Sequence, residues 1–152
     1  TNLQEILDAA RNLPSGERAQ LIYALWDTMS PDEWAQPNAA WVAESQRRSE
    51  EIDAGRMSAS SWSDVRLDPV AKRASMTDVV ISSAAEGDYT DALLWYAERS
   101  TNAAEQFEAE FQRALDTIAS DPERFPHCDN RHRFFLLRRF PFQVIYRWHL
   151  DQ

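Results

Sequence analysis

Apolar residues recur at helical spacing from the start of the chain. Leu3, Ile6, Leu7, Ala10 and Leu13 lie three and four apart, and Pro14 predicts the end of that helix. Ser15 is then placed to cap a second helix, with Glu17 near its positive dipole end and Leu21, Ile22, Leu25, Trp26 and Met29 as its apolar stripe. The two make a short helical hairpin. Two prolines mark "SPDEWAQPN" as a loop, after which Asn38 caps a predicted third helix ending at Gly55. Trp41, Ser45, Arg48 and Ile52 share one of its faces, and the charges of "RRSEE" predict that the other is solvated. The following "MSASSWSDV" begins loose and serine-rich. It then offers a capping box, Ser61-x-x-Asp64, for a short helix with Trp62 and Val65, limited by Pro69.

From Met76 the pattern changes. The short β-branched run Val79 to Ser82 predicts a strand, and Ala85, Tyr89, Ala92, Leu93 and Tyr96 a helix stripe. Thr101 or Asn102 is placed to cap a second helix, with Phe107, Phe111, Leu115 and Ile118 on one face. Beyond the loop "ERFPHCDN", the segments "RFFLLRR" and "FQVIYRWH" predict two strands joined tightly at Phe140-Pro141; Phe142, Val144, Tyr146 and Trp148 alternate with more polar neighbours. The order is strand, two helices, strand, strand, so the class is α+β with an all-α first half. The methionine between the two patterns reads as the start of a second protein joined to the first.

Composition narrows the class. Apolar residues make up 43% of 152, enough for a core. No apolar run is long enough to span a membrane, and "TNLQEILDAARNL" is amphipathic and acidic rather than a secretory signal, so a cytoplasmic location with no membrane partner is expected. The lone Cys128 allows no internal disulfide, in keeping with a reducing compartment. A net charge of −9 argues against a general nucleic-acid binder, but the charge is unevenly spread. Residues 76–123 carry eleven acids against Arg99 and Arg113, whereas 124–152 carry six arginines against Asp129 and Asp151. Such a basic patch calls for an anionic target or an acidic partner.

Two resemblances follow from the motifs. "WYAERS", "FEAEFQRALDTI", "DPERFP" and "RFFLLRRFPFQVIYRW", in that order, resemble the RelE/ParE superfamily of bacterial toxins over nearly all of 76–152. "LPSGERAQLIYALWDTM" and "AWVAESQRRSEEIDAGRMSASSWSDVR" resemble the addiction-module antitoxins usually encoded just upstream of such toxins. The chain thus reads as a type II toxin–antitoxin fusion: an antitoxin segment 1–75, made of a helical hairpin and a helical arm that wraps its partner, followed by a toxin domain 76–152 of β-α-α-β-β order. The superfamily normally continues into one more strand bearing further functional residues, and the sequence ends at "WHLDQ", so that strand is expected to be lacking.

The resemblance implies either ribosome-dependent mRNA cleavage, in which arginines hold the phosphate, or poisoning of DNA gyrase without catalysis; a decayed regulatory module is a third reading. Arg133 matches the family arginine before the L-x-R-FP run and Arg139 lies beside Phe140-Pro141, which makes them the expected catalytic pair on one strand face. They would equally serve to solvate a sheet face or to pair with acids of the first half. His132 and His149 are potential acid–base groups. "HCDNRH" has too few ligands and no recognised spacing for a metal, and no cofactor is expected. Trp34, Trp41 and Trp62 are too many for a small helical half to bury, so Trp41, Ile52, Trp62 and Val65 are expected at a toxin–antitoxin interface, within the chain or between chains. The hairpin 2–29 has more apolar face than two short helices hide, which predicts a homodimer. Its acidity and lack of a basic recognition helix give little support to operator binding.

Overall fold

The computed structural model describes residues 1–65 and 79–148. The expected junction at Met76, the helix limit at Pro69, His149 and the question of a further strand beyond Trp148 lie outside them. The chain forms two compact units, Thr1–Trp34 and Ala35–Gln152.

The first unit is the expected hairpin. Helix α1 (Leu3–Arg11) opens with a capping box: the Asn2 side chain accepts from the Glu5 N–H at 2.9 Å, and the Glu5 carboxylate accepts from the Asn2 N–H at 3.1 Å. Helix α2 (Ser15–Asp27) starts without a side-chain cap. Pro14 holds the capping position, and Ser15 is already helical rather than the cap its hydroxyl suggested. A turn at Pro31–Glu33 then returns Trp34 onto Trp26, with ring centroids 6.4 Å apart. Leu3, Ile6, Leu7, Ile22, Leu25 and Met29 remain exposed, so the hairpin does not bury its own stripe.

In the second unit, helix α3 (Ala39–Asp53) is capped as expected by Asn38, whose Oδ1 accepts from the Ala40 N–H at 2.8 Å. It is closed by Gly55 at φ +76°, a left-handed conformation that favours glycine. The segment read as loose is instead strand β1 (Ala59–Ser61), leading into α4 (Trp62–Val65). Ser61 is a strand residue whose hydroxyl bonds Ser63 Oγ at 2.9 Å. The expected order follows: β2 (Val80–Ser82), α5 (Ser83–Arg99), α6 (Thr101–Ser120), β3 (Arg133–Leu136) and β4 (Gln143–Tyr146). The N-cap of α6 is Ser100, not Thr101 or Asn102, and its side chain accepts from the Ala103 N–H at 3.2 Å.

Two antiparallel pairs are built from these strands. β1 meets β2 with Ser60 opposite Ile81, and β3 meets β4 with Phe134 opposite Ile145. The aromatic stripe of α6 faces both α5 and the strands: Phe107, Ala114 and Leu137 are buried together, with Tyr89, Tyr96 and Phe140 packed on them. A second cluster joins Trp62, Ile81 and Leu115, flanked by Val65, Tyr89 and Phe111. Each such large apolar side chain contributes roughly 1.5–3 kcal/mol by leaving water. Polar anchors fix the loops. Glu110, buried on α6, accepts the N–H groups of Arg138 and Arg139 at 2.7 and 2.9 Å, and the Tyr146 hydroxyl donates to the Pro122 carbonyl at 2.6 Å.

The candidate interface between the arm and the toxin fold

Residues 35–65 lie within the second unit, joined to the β2-to-β4 part by three kinds of contact. The first is backbone pairing. Beyond the β1–β2 register, the Trp62 N–H donates to Val79 O at 2.7 Å and the Ser83 N–H to Ser58 O at 2.9 Å. The second is apolar. Trp62 retains 5% exposure, meets Tyr89 and Phe111 edge-on at 5.1 and 5.2 Å, and donates its indole N–H to Gln112 Oε1 at 2.6 Å. A tryptophan so placed has an apolar body in the core and a partner for its one donor.

The third contact is polar and runs along α3. Gln46 donates to Asp129 Oδ2 at 3.0 Å, Arg48 to Asp88 Oδ2 at 2.7 Å, and Ser49 Oγ lies 2.7 Å from His132 Nε2. One turn further, Asp53 is held by two arginines: Arg147 binds both carboxylate oxygens, at 2.7 and 2.9 Å, and Arg131 adds a bond at 2.9 Å. The Arg147 and Arg131 guanidiniums hold the Asp53 carboxyl well below the usual carboxylate range. Behind Ser49, His132 is almost fully buried, and its Nδ1 lies 2.8 Å from Asp129 Oδ2. Burial pushes the Asp129 carboxyl up, but the N–H groups of Arg131 and His132 and the Gln46 and His132 side chains outweigh it and bring it to about 2. An ionised Asp129 holds a proton on Nδ1, and in the neutral ring Nε2 then accepts from the Ser49 hydroxyl.

The residues singled out from sequence fare unequally. Trp62 is buried, Val65 packs beside it, and Ile52 is half-buried. Trp41 is 56% exposed, so within this chain it is not buried as Trp62 is. The polar contacts of α3 are made from Gln46 onward, more than a turn beyond Trp41, and include Arg48 of the Trp41 stripe as well as Gln46, Ser49 and Asp53. Arg133 turns inward instead of lining a phosphate surface, donating to the carbonyls of Glu123 and Phe125 at 2.8 and 2.6 Å. Arg139 lies beyond the end of β3, where Glu110 has drawn its N–H out of the strand, so it shares no strand face with Arg133. Cys128 points its thiol at the His132 carbonyl, and among the described residues no group of three or more His, Cys, Asp or Glu side chains is arranged to hold a metal. No described helix is long and apolar enough to cross a membrane.

Two family models match, side by side. Residues 12–65 match a putative addiction module component, and 79–152 match the ParE toxin of the type II parDE toxin–antitoxin system. The chain is an antitoxin–toxin fusion of the type II kind. No curated protein and no solved structure matches it. The contacts above therefore run between an antitoxin arm and a ParE-like toxin fold. Sequence reasoning overlooked Ser49, Asp53, Asp129, Arg131 and Arg147. Only the mismatch between an acidic chain and its arginine-rich end hinted at them, since the pairing residues lie 78 to 94 positions apart.

Proposed function

We propose that residues 1–75 are the antitoxin and 76–152 the toxin, and that the arm neutralises the toxin by wrapping it. The observation that carries this is the double hold on Asp53 by Arg131 and Arg147 at the end of α3, directly before the arm adds β1 to β2 and buries Trp62. An anionic side chain thereby occupies the basic patch while the backbone and a tryptophan fasten the segment. Tethering raises the local concentration of the arm to roughly millimolar when the linker reaches. Release then calls for proteolysis of the arm rather than simple dissociation. The exposed apolar stripe of 2–29 supports homodimerisation through the hairpin.

For the toxin's own action, the reading we favour is ribosome-dependent cleavage of mRNA, with the phosphate held by Arg131 and Arg147 rather than by Arg133 and Arg139. Its support is that the covered cluster pairs an Asp-oriented imidazole with converging guanidiniums, the groups that proton transfer and phosphate binding require. The ParE description of the matching family supports a second reading, gyrase poisoning without catalysis. Expression of the full chain carrying Trp62→Ala and Asp53→Ala is the test. The double variant should arrest growth where the unaltered chain does not, with cuts in ribosome-bound mRNA. Stalled gyrase–DNA complexes in place of cuts would favour the second reading, and normal growth would overturn the neutralising role.

A further inference from the structure

Ser49 and Asp53 stand four residues apart on α3, hence about 5–6 Å apart on one face. The first offers a hydroxyl to His132 Nε2, and the second offers a carboxylate to Arg131 and Arg147. We propose that this face of α3 is a substrate mimic: it fills a toxin site for a ribose hydroxyl beside a phosphate, with Ser49 Oγ in the place of the hydroxyl and Asp53 in the place of the phosphate. The proposal deepens the reading of residues 35–65 as the neutralising arm and rests on it.

Three features distinguish this arrangement from an ordinary surface ion pair. Both oxygens of Asp53 are engaged by Arg147, and a second guanidinium converges on one of them; a planar fork of this kind suits phosphate as well as carboxylate. Ser49 is a buried hydroxyl in mid-helix that points at an imidazole across the interface, at 7% residual exposure. Packing alone would be served there by alanine. His132 itself has only 3% exposure and is braced by Asp129 through Nδ1, with Nε2 presented to an incoming hydroxyl. Beside these groups a cleft of about 300 Å³ opens between Gln46 and Glu50 of the helix and residues 129–132 of the loop. A hydroxyl next to a phosphate is the feature that separates RNA from DNA, so the site reads a ribonucleotide.

The mimic predicts that the arm and a ribonucleotide exclude each other. The test uses the full chain with Ser49→Ala and Asp53→Asn, nearly isosteric changes, and follows binding of uridine 3′-monophosphate by calorimetry. The variant should bind it about tenfold more tightly than the unaltered chain, as expected when a charge-assisted competitor is removed. It should also prefer this probe over both its 2′-deoxy counterpart and inorganic phosphate. Adding His132→Gln should remove the preference for the ribose, and adding Arg147→Gln should weaken both nucleotides. Equal binding by variant and unaltered chain, or equal binding of the three probes, would overturn the mimic. Should the double variant lose its fold, Asp53→Asn alone carries the comparison, with a gain of about threefold expected and no gain overturning the proposal. A gain in nucleotide binding with unimpaired growth of cells making the Trp62→Ala, Asp53→Ala chain would uphold the site but sink the neutralising role; growth arrest without the gain would do the reverse.

Discussion

Arg147 grips Asp53 with both terminal nitrogens, at 2.7 and 2.9 Å, across 94 positions of sequence. It does so from the residue that follows β4, so the end of that strand aims a guanidinium at the last turn of α3. Arg147 is largely covered whereas Asp53 is half exposed, which makes the contact sensitive to solvent ions from the carboxylate side. Raising salt from about 0.05 to 0.5 M should therefore speed proteolysis of the arm in the unaltered chain. With Asp53→Asn the proteolysis rate should already be high and almost salt-independent. A salt effect of the same size in both would show that some other ion pair governs docking.

Replacing Trp62 by alanine should be the most damaging change in the arm. It removes a buried aromatic from the Ile81–Leu115 cluster and leaves Gln112 without its indole donor. The expected loss is about 3–5 kcal/mol in urea unfolding of the second unit. Trp41→Ala should cost less than about 1 kcal/mol, because that ring is mostly in solvent. Similar losses from both would contradict the packing described.

The pH response follows from two carboxylates lowered below their unfolded value of about 3.9. Asp129 lies at about 2, and Asp53 is also well below the usual range. A lowered carboxyl stabilises the fold fully above its unfolded value and ceases to do so as pH falls through the folded one. Docking of the arm, followed by the indole N–H resonance of Trp62, should therefore decline as pH falls from about 4 to 2. Asp53→Asn should make that decline shallower. A midpoint near neutrality would assign the switch to other groups.

Glu110 carries the connection between β3 and β4. Its Oε1 accepts two backbone N–H groups from a position with 7% exposure, so Glu110→Ala should cost about 2–3 kcal/mol by stranding both donors. Glu110→Gln, which keeps an acceptor, should cost less. Thermal melts of the two variants check this, and equal shifts would deny the hydrogen bonds their role.

Much of the architecture was legible because it follows local rules. Asn38 and Gly55 bracket α3, and the Phe107–Leu115 stripe of α6 finds the core, since capping, backbone handedness and helical period act within a few residues. β1 was not legible: Ala59, Ser60 and Ser61 have no strand preference of their own and become a strand by pairing with β2. The polar contacts escaped for a related reason. Gln46, Ser49 and Asp53 read as a solvated face, and only the fold brings Asp129, Arg131, His132 and Arg147 to meet them. Arg133 misled because a motif fixes a residue's position in a strand but not the direction of its side chain, which here turns to the carbonyls of 123 and 125.

The pairing of β1 with β2 uses peptide groups, which every sequence possesses, and three small side chains that nothing selects for shape. An arm from a different module could form that ladder on this toxin equally well. Discrimination between cognate and foreign antitoxins therefore falls on the few side chains that must match in kind and place: the indole against Gln112, the hydroxyl against His132 and the carboxylate between two guanidiniums. A cell with many such modules would keep them insulated by varying those three positions while leaving the strand alone.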